Sequence, residues 1–199
     1  MTEKGLDETK DRCTWCLSDK FYVEYHDNEW GVPLHDEVKL FEFLTLEGFQ
    51  AGLSWRTILR KRENFRMAFA GFDPEKVAEF GENEIQRLMQ DVGIIRNLRK
   101  IEACINNAKR YLEVEDEFGS FDAYIWSFTG NKPVINHWKE SVEIPSKTEL
   151  SDHISADMKK RGFKFVGSTV VYAHLQATGM VNDHLVSCFR YHEINELNS

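Results

Sequence analysis

The 199-residue sequence contains no apolar run near the roughly 20 residues that are needed to cross a bilayer. Its first residues, MTEKGLDETKDR, are polar and charged, whereas a signal peptide needs an apolar segment there. We therefore expect a cytoplasmic protein that makes no membrane contact. Four cysteines are too few for a disulfide framework at this length, so we expect them to be thiols or metal ligands.

Repeats, low-complexity stretches and linkers rich in proline, glycine or serine are also missing. Hydrophobic residues make up 42% of the chain and aromatic residues 13%, which is enough for a packed core and excludes a disordered protein. The length fits one domain, because a single core typically holds about 100 to 200 residues. We expect this domain over residues 12–191, with flexible tails at 1–11 and 192–199, and we expect a monomer.

Positive charge is in the minority, since 25 Lys and Arg stand against 33 Asp and Glu, for a formal net charge of −8. Taken whole, this balance argues against a nucleic-acid partner. The distribution differs, because residues 51–110 carry 12 basic and 8 acidic side chains. The stretch between Asp157 and Asp183 has no acidic residue and four basic ones, Lys159, Lys160, Arg161 and Lys164. A solvated surface is the plainer interpretation, and a local positive face is the alternative.

Strand-like alternation is scarce, so the predicted fold class is mainly α. Apolar residues recur with helical spacing after Asp36, and Ser54 can cap a second helix that extends to Phe69. Asp73-Pro74 is typical of a helix start, with a capping residue followed by proline at the first helical position. Further helices are expected over 120–128, 150–161 and 168–178, the last two ended by Gly162 and Gly179.

A helical hairpin is predicted around Gly93. Asn83 can cap a short helix that is interrupted at residues 92–95, and a longer helix follows. A hairpin whose second helix starts after a glycine turn can direct free backbone N–H groups at a phosphate. Arg96, Arg99 and Lys100 add positive charge there. The pattern favours a DNA-backbone contact, although single glycines are common in turns between helices.

Cysteine and histidine cluster near both ends of the chain. His184 and Cys188 are four residues apart, which on a helix puts both side chains on one face, as in half of a tetrahedral Zn²⁺ site. Spacing alone favours Cys13-x-x-Cys16 as the other half, and Cys13 with His26 is the looser alternative. Without a metal, the pair would be a capping histidine and a buried thiol. Ligand sets of this kind leave no open position, which indicates a structural metal.

Aromatic residues surround an unusual carboxylate in the first part of the sequence. Glu47 follows Leu40, Phe43 and Leu44 by seven, four and three residues, so its carboxylate points along the apolar face of its helix. A buried carboxylate is retained when it binds a ligand or a cation, and nearby aromatics indicate a ligand with a flat π face. Alternatively, Glu47 lies at a frayed helix end, and the tryptophans fill the core.

Five ordered segments carry a resemblance to a known family. They are residues 25–33 (YHDNEWGVP), 46–55 (LEGFQAGLSW), 91–96 (DVGIIR), 160–167 (KRGFKFVG) and 181–184 (VNDH). From about Arg12 to Tyr191, the chain resembles the bacterial 3-methyladenine DNA glycosylase I (Tag-type) enzymes. The resemblance implies a helix-hairpin-helix superfamily fold with a zinc site that joins the N- and C-terminal segments. It also implies hydrolysis of the N-glycosidic bond of 3-methyladenine in alkylated double-stranded DNA.

The resemblance implies roles for particular residues. It places the ligands of a structural Zn²⁺ on Cys13, His26, His184 and Cys188, which leaves Cys16 as an extra thiol. It places the base pocket on Trp15, Tyr22, Tyr25, Glu47 and Trp55, with Glu47 and Tyr25 as catalytic residues. From the hairpin and the basic stretch, we expect DNA contacts at Gly93, Arg96, Lys100, Lys160, Arg161 and Lys164.

One departure concerns the wider superfamily, whose usual catalytic aspartate in a Val-Asp context has no counterpart here. Asp116 and Asp122 lie nearby in other contexts. Alkylation at N3 makes adenine cationic and weakens its glycosidic bond, so 3-methyladenine leaves as a neutral base without being protonated. The enzyme must then mainly expose and bind the base. The competing hypotheses are a non-catalytic reader of damaged DNA and a zinc-stabilised hydrolase of free nucleobases or nucleosides.

Overall fold

The computed structural model describes residues 9–197. This range holds eleven α-helices, three single-turn 3₁₀ helices and one two-stranded parallel sheet, which confirms the predicted mainly α fold class. No helix within these residues is long and apolar enough to cross a membrane. Residues 1–8 and 198–199, parts of the two predicted tails, lie outside the described range.

The elements follow one another closely along the chain. The helices are α1 (Lys20–Asn28), α2 (Glu37–Gln50), α3 (Trp55–Arg60), α4 (Arg62–Ala68), α5 (Pro74–Ala78), α6 (Glu82–Gln90), α7 (Leu98–Phe118), α8 (Phe121–Ser127), α9 (Glu149–Lys160), α10 (Ser168–Ala177) and α11 (Phe189–Leu197). The 3₁₀ helices are Thr14–Cys16, Ala70–Phe72 and Ser141–Glu143, and the strands are β1 (Val134–Ile135) and β2 (Val181–Asn182). The strands pair in parallel, with Val134 opposite Val181.

Three predicted helix starts are confirmed by side-chain caps. The side chains of Asp36, Ser54 and Asp73 accept hydrogen bonds from backbone N–H groups three residues further on. The helix predicted from Ser54 to Phe69 is divided, however, because Lys61 leaves the helical conformation between α3 and α4. The Lys61 ammonium donates instead to the carbonyls of Val92 and Gly93, which fixes this break against the hairpin.

The cap predicted at Asn83 is wrong. Helix α6 begins two residues earlier, with Gly81 as its N-cap residue. Glycine has no capping side chain, and the Glu84 carboxylate accepts from the Gly81 N–H at 2.9 Å instead. The predicted helix ends at Gly162 and Gly179 are confirmed. A Cβ on Gly179 would lie 2.4 Å from the Pro33 nitrogen, so only glycine allows this close approach to the 31–33 segment.

Helices α2 and α7 form the centre of the core. The Glu37 carboxylate at the start of α2 accepts from the Tyr111 hydroxyl on α7 and from the Phe121 and Asp122 N–H groups that begin α8. These bonds fix α2 at its first turn, so its last turn, which carries Glu47, has a defined position. The apolar faces of α2 and α7 are buried at Leu40, Phe41, Leu44, Ile101, Cys104, Ile105 and Ala108.

The C-terminal segment differs from the tail predicted over 192–199. Residues 192–197 continue α11, and Ile194 in that helix is fully buried. The burial of Ile194 ties the helix to the rest of the molecule, because exposing an apolar side chain of this size costs about 1.5–3 kcal/mol. The N-terminal segment is also attached, since Phe189 donates its N–H to the Asp11 carbonyl.

Candidate active site and metal centre

Two cysteines and two histidines from opposite ends of the chain meet in one buried cluster. The ligand atoms of Cys13, His26, His184 and Cys188 all lie within 4.8 Å of one another. The Cys188 sulfur is 3.5 Å from His26 Nε2 and 3.6 Å from His184 Nδ1, and the Cys13 sulfur is 3.8 Å from His184 Nδ1. Sulfur and nitrogen ligands of a tetrahedral zinc are separated by about 3.5 Å, so the cluster has the size of such a site.

The backbone that presents His184 and Cys188 is not the helix expected from their spacing. Both residues lie in the turn between β2 and α11. Asn182 fixes the first of them, because its side-chain oxygen accepts from the His184 N–H at 3.2 Å. A tight turn brings residues four apart together as well as a helix does, so the spacing was informative although the predicted element was wrong.

Cys16 lies beside the cluster without belonging to it. Its thiol donates to the Cys13 carbonyl at 3.1 Å, and Cys16 is fully buried. His26 on α1 supplies the fourth ligand atom instead. The pairing favoured by spacing alone, Cys13 with Cys16, is therefore not the one that the structure assembles.

Hydrogen bonds orient both histidines of the cluster. The Nδ1 atom of His26 lies 2.8 Å from the Asp27 carboxylate, which also accepts two hydrogen bonds from Arg12. The Nε2 atom of His184 lies 3.1 Å from the Trp30 carbonyl. In each ring, the outer nitrogen thus contacts a hydrogen-bond acceptor, and the other nitrogen points toward the cysteines. Histidine ligands of protein-bound metals are commonly held in this way.

The two thiols of the cluster differ in acidity. The hydrogen bond from Cys13 lowers the pKa of Cys188, and His184 and His26 lower it further. The same hydrogen bond, followed by burial, raises the pKa of Cys13. The second thiolate needs a further positive charge nearby, because two adjacent anions in a buried site repel each other. A divalent cation supplies such a charge.

An aromatic cavity of about 380 Å³ lies next to this cluster. Five aromatic side chains line it, namely Trp15, Tyr22, Tyr25, Trp30 and Trp55. The other lining residues are Glu47 and Gln50 from α2, Ser141, Ile144 and Pro145 from the segment after β1, and Ala173, Gln176 and Ala177 from α10. All five residues predicted for a base pocket, Trp15, Tyr22, Tyr25, Glu47 and Trp55, are thus brought together.

Local structure explains how the aromatic walls are positioned. Tyr22 and Tyr25 lie one turn apart on α1, with nearly parallel rings whose centroids are 6.4 Å apart. Trp15 meets Tyr22 edge to face at 4.8 Å. Trp55 is the first residue of α3, directly after the Ser54 cap. Trp15 and Trp30 also contact His26 and His184, respectively, so two walls of the cavity rest on the cysteine–histidine cluster.

Polar groups at the base of the cavity lack partners. Glu47 is 2% exposed, and among the described residues neither its Oε2 atom nor the buried Tyr25 hydroxyl has a hydrogen-bond partner. Buried polar atoms are nearly always paired, so these exceptions indicate a ligand site. Burial raises the pKa of Glu47 to about 7, although His174 opposes the rise. Burial, and then the Glu47 charge, raises the pKa of Tyr25 well above its usual range.

Asp183 anchors the other side of the cavity. Its buried carboxylate accepts hydrogen bonds from the side chains of Asn136, Trp138, Tyr172 and Gln176. A carboxylate of this kind only accepts, so Gln176 must present its NH₂ group to Asp183 and its oxygen elsewhere. Sequence reasoning missed both residues as site residues, although Asp183 lies in the quoted segment 181–184. Gln50 was also missed, and its position one helical turn after Glu47 is a usable signal.

Two of the six residues predicted to contact DNA have internal partners around the hairpin. The Gly93 N–H donates to the Asp91 carboxylate at 2.7 Å and is not free for a phosphate, which corrects the expectation. The Lys100 ammonium donates to the carbonyls of Phe49 and Ala51 at the end of α2. Burial lowers the pKa of Lys100. Lys100 thus supports the helix that carries Glu47, a role for which its sequence position gives no signal.

Of the other four residues predicted to contact DNA, one has internal partners and three have none among the described residues. Arg161 is engaged internally, since its guanidinium pairs with Glu117 and Asp157, each at 2.7 Å, and lies over the Phe118 ring. Arg96, Lys160 and Lys164 are exposed. Within residues 9–197, the charged ends of these three side chains have no hydrogen-bond or ion-pair partner. They are therefore the predicted residues best placed to meet phosphates.

Comparison with known proteins agrees with this fold. The model of the methyladenine glycosylase family matches residues 15–191. The DNA-3-methyladenine glycosylase 1 of Escherichia coli (strain K12) is 51% identical over 181 residues, which cover 91% of this chain and 97% of that protein. A crystal structure of 3-methyladenine DNA glycosylase I (TAG) superimposes with a TM-score of 0.87 at 49% identity, covering 90% of this chain and 98% of that one.

A further solved structure contains a ligand. It is a variant of 3-methyladenine DNA glycosylase I in complex with 3-methyladenine, with a TM-score of 0.87 and 38% identity, covering 89% of this chain and 96% of that one. The helical fold and the aromatic cavity with its buried carboxylate define a nucleobase-binding protein of the glycosylase type. More narrowly, the chain belongs to the methyladenine glycosylase family.

Proposed function

We propose that this protein is a DNA repair glycosylase that hydrolyses the N-glycosidic bond of 3-methyladenine in alkylated double-stranded DNA. The observation that carries the proposal is the buried Glu47 carboxylate, whose Oε2 atom has no hydrogen-bond partner among residues 9–197 and faces an aromatic cavity of about 380 Å³. Relatives about half identical over nearly their whole length bear the name of this activity, which supports the same assignment.

The cavity is suited to a cationic base. Alkylation at N3 puts a positive charge on adenine, and aromatic rings attract a cation that lies over their faces. A carboxylate adds a charge-assisted hydrogen bond, which is stronger than a bond between neutral groups. Glu47 is the acceptor for the exocyclic amine, and the Tyr25 hydroxyl, which accepts or donates no hydrogen bond of normal geometry among residues 9–197, lies in the same cavity. Tyr22, Trp15 and Trp55 form the surfaces on which the base stacks.

The chemistry needs little from the protein beyond this environment. The base must leave the duplex to reach the cavity, and a flipped, damaged base costs less to unstack than a normal one. Loss of the cationic base leaves a neutral 3-methyladenine, so no general acid is required. Water then attacks the sugar carbon. Glu47 and Tyr25 act by holding the base in the position from which it departs.

The DNA backbone meets the hairpin of α6 and α7 in a helix-hairpin-helix fold. Arg96 on the loop before α7, Lys160 at the end of α9 and Lys164 just after it supply cations that have no internal partner among residues 9–197. Each phosphate contact of this type strengthens binding to all sequences and makes it salt-dependent. Base identity is then read in the aromatic cavity and not by the basic residues.

The cysteine–histidine cluster holds a structural zinc ion. Two thiols and two imidazoles with hydrogen-bonded outer nitrogens are a common donor set for zinc. When bound, zinc supplies two positive charges and a cross-link between the chain ends, and four protein ligands leave no position for a reactant. Cys13, His26, His184 and Cys188 are the residues that hold it. His26 and His184 also support Trp15 and Trp30 of the cavity.

Incubation with methylated duplex DNA tests the function. We expect chromatography to show free 3-methyladenine released by the unmodified protein, and little release by the matched variant Glu47→Gln at the same concentration. A protein that binds methylated duplex without releasing a base would be a reader of damage and would overturn the proposal. Release from free nucleosides but not from duplex, with no salt dependence of binding, would instead favour a nucleoside hydrolase.

A further inference from the structure

A second buried titratable group lies behind Glu47. His174 on α10 is 2% exposed, and its Nδ1 atom is 3.4 Å from Glu47 Oε2. Neither ring nitrogen of His174 has a hydrogen-bond partner among residues 9–197. An imidazole always carries at least one N–H, so a buried histidine without any acceptor is unusual. The acceptor that its Nδ1 atom contacts is the Glu47 Oε2 atom.

We propose that His174 is a positioning residue whose contact with the Glu47 carboxylate sets the pH range in which the cavity offers a charged carboxylate to a cationic base. The inference rests on the proposed function for its substrate. It does not depend on that function for the pairing itself, which is a property of the free protein. His174 lines no part of the cavity wall, so it acts through Glu47 and does not touch the base.

The groups around Glu47 leave His174 as its charge partner. Across the cavity, α1 contributes the Tyr25 hydroxyl, whose raised pKa keeps it neutral. On the α7 side, Cys104 is a buried neutral thiol near Thr45, and the Lys100 ammonium is held by backbone carbonyls at the end of α2. The first residue of α3, Trp55, carries no charge. The arginines of α4 that reach α2 are bound to Glu42, on another face of that helix.

The groups around His174 are engaged elsewhere. Beyond α10, the Asp183 carboxylate accepts from Tyr172 and Gln176. On α9, which packs against α10, Asp152 pairs with Lys147, and Asp157 pairs with Arg161. His153, Lys159 and Lys160 on the same helix are exposed. Of the charged groups named here, Glu47 is the one that His174 contacts.

The contact with His174 explains how a buried carboxylate can still be charged near neutral pH. Burial raises the pKa of Glu47 to about 7, and His174 limits that rise by favouring the charged form. A cationic base favours the ionised form of Glu47. Binding of the base and loss of the Glu47 proton are therefore linked.

Replacing His174 should shift the pH dependence of base release in a defined direction. His174→Leu removes the group that opposes the raised pKa, so Glu47 ionises at higher pH. The acidic limb of the rate of 3-methyladenine release should move upward by roughly one pH unit, while the alkaline plateau is retained. His174→Gln is the second variant, because it keeps a polar side chain without a titrating group, and it should move the limb in the same direction.

A control separates this effect from a general effect of removing a histidine. His153→Leu changes an exposed histidine on α9 and should leave the acidic limb where it is in the unmodified protein. Nuclear magnetic resonance of proteins labelled with ¹³C in the glutamate carboxyl group provides a readout that needs no substrate. The Glu47 signal is assigned by its loss in Glu47→Gln, and its titration midpoint should rise in both His174 variants.

The outcomes are distinct. An acidic limb and a Glu47 midpoint that stay in place in His174→Gln would overturn the proposal, even if the plateau falls, because a lower plateau alone reports packing. A shifted midpoint in a protein that releases no 3-methyladenine would support the pairing and refute the proposed function instead. If His174→Leu does not fold, the same decision is made on His174→Gln and on the midpoint.

Discussion

Two neighbouring groups of buried polar side chains differ in how many of their atoms have hydrogen-bond partners. In the cluster of Cys13, His26, His184 and Cys188, the ligand atoms face one another, and the outer histidine nitrogens are bound to Asp27 and to a backbone carbonyl. In the adjacent cavity, the Glu47 Oε2 atom and the Tyr25 hydroxyl lack hydrogen-bond partners among the described residues, and His174 lies behind the cavity wall at 3.4 Å from that oxygen.

The difference separates a structural site from a binding site. A closed polar cluster that satisfies itself, or a metal, stabilises the fold and leaves nothing for a reactant. Unpaired buried atoms destabilise the free protein and persist where a ligand completes them. Trp15 and Trp30 lie between the two groups and contact both, so the closed site holds the walls of the open one.

The largest expected effect comes from removing one member of the cysteine–histidine cluster. Cys188→Ser removes one of the four side chains that we propose hold zinc between the two ends of the chain, so we expect loss of bound zinc and of about 5 kcal/mol or more of unfolding free energy. Metal analysis and urea unfolding measure the two quantities. Cys16→Ser is the matched control and should keep both. The reverse dependence would move the metal to the Cys13–Cys16 pair.

In the open site, removing the charge should weaken catalysis. Glu47→Gln keeps the size of the side chain but loses one charge-assisted hydrogen bond, which should cost roughly 1.5–3 kcal/mol in the rate of base release. Single-turnover release from methylated duplex at saturating enzyme measures this cost. Glu47→Ala should cost more, and an undiminished rate in that variant would remove the carboxylate from the mechanism.

The same substitution should make the folded protein more stable at alkaline pH. The pKa of Glu47 is about 7 in the folded state against 4.5 unfolded, so the folded protein holds its proton longer. Stability from this group is therefore complete below pH 4.5 and is lost as the pH rises to about 7. Glu47→Gln should lack this loss, worth up to roughly 3 kcal/mol. Parallel unfolding curves of both proteins between pH 5 and pH 8 would contradict the buried, unpaired state.

A change in the aromatic wall should weaken binding of the free base and should not weaken binding of undamaged DNA. Trp55→Ala removes one stacking partner, and we expect affinity for free 3-methyladenine to fall by about 1–3 kcal/mol. Affinity for undamaged duplex should be nearly unchanged. Quenching of the remaining tryptophan fluorescence reports the first quantity, and a gel-shift titration reports the second. Equal base affinity in both proteins would make Trp55 a core residue only.

The smallest effects concern the basic residues outside both sites. Lys160→Ala and Lys164→Ala should each lower the dependence of log affinity on log salt concentration by about one, without changing which base is released. Arg161→Ala is the contrasting variant, because this side chain is bound to Glu117 and Asp157. It should leave the salt dependence in place. A reduced slope for Arg161→Ala alone would reverse the assignment.

Prediction from the sequence succeeds where the signal is local. Helical spacing from Leu40 to Leu44 places Glu47 on an apolar face, and the structure confirms its burial. The caps at Asp36 and Ser54 are likewise found where short-range patterns put them. The four members of the cysteine–histidine cluster come from the family resemblance, because spacing alone selects Cys16 in place of His26.

What the sequence does not reveal depends on partners far along the chain. The sequence predicts that Lys100 binds a phosphate. In the fold, its ammonium donates to the carbonyls at the end of α2 instead. His174 has no local feature that connects it with Glu47, since the contact joins α10 to α2. The loop at 141–145 closes one side of the cavity without any periodic pattern. Each of these contacts is a product of tertiary packing.

Calorimetric titration of free 3-methyladenine into the protein tests the contrast between the two sites most directly, because it isolates the cavity from DNA. The account predicts one binding site per chain in the unmodified protein and in Cys16→Ser. It predicts affinity at least roughly tenfold weaker in Glu47→Ala, as expected for loss of a charge-assisted hydrogen bond. Equal affinity in Glu47→Ala and the unmodified protein would show that the unpaired atoms of the cavity are not there for the base.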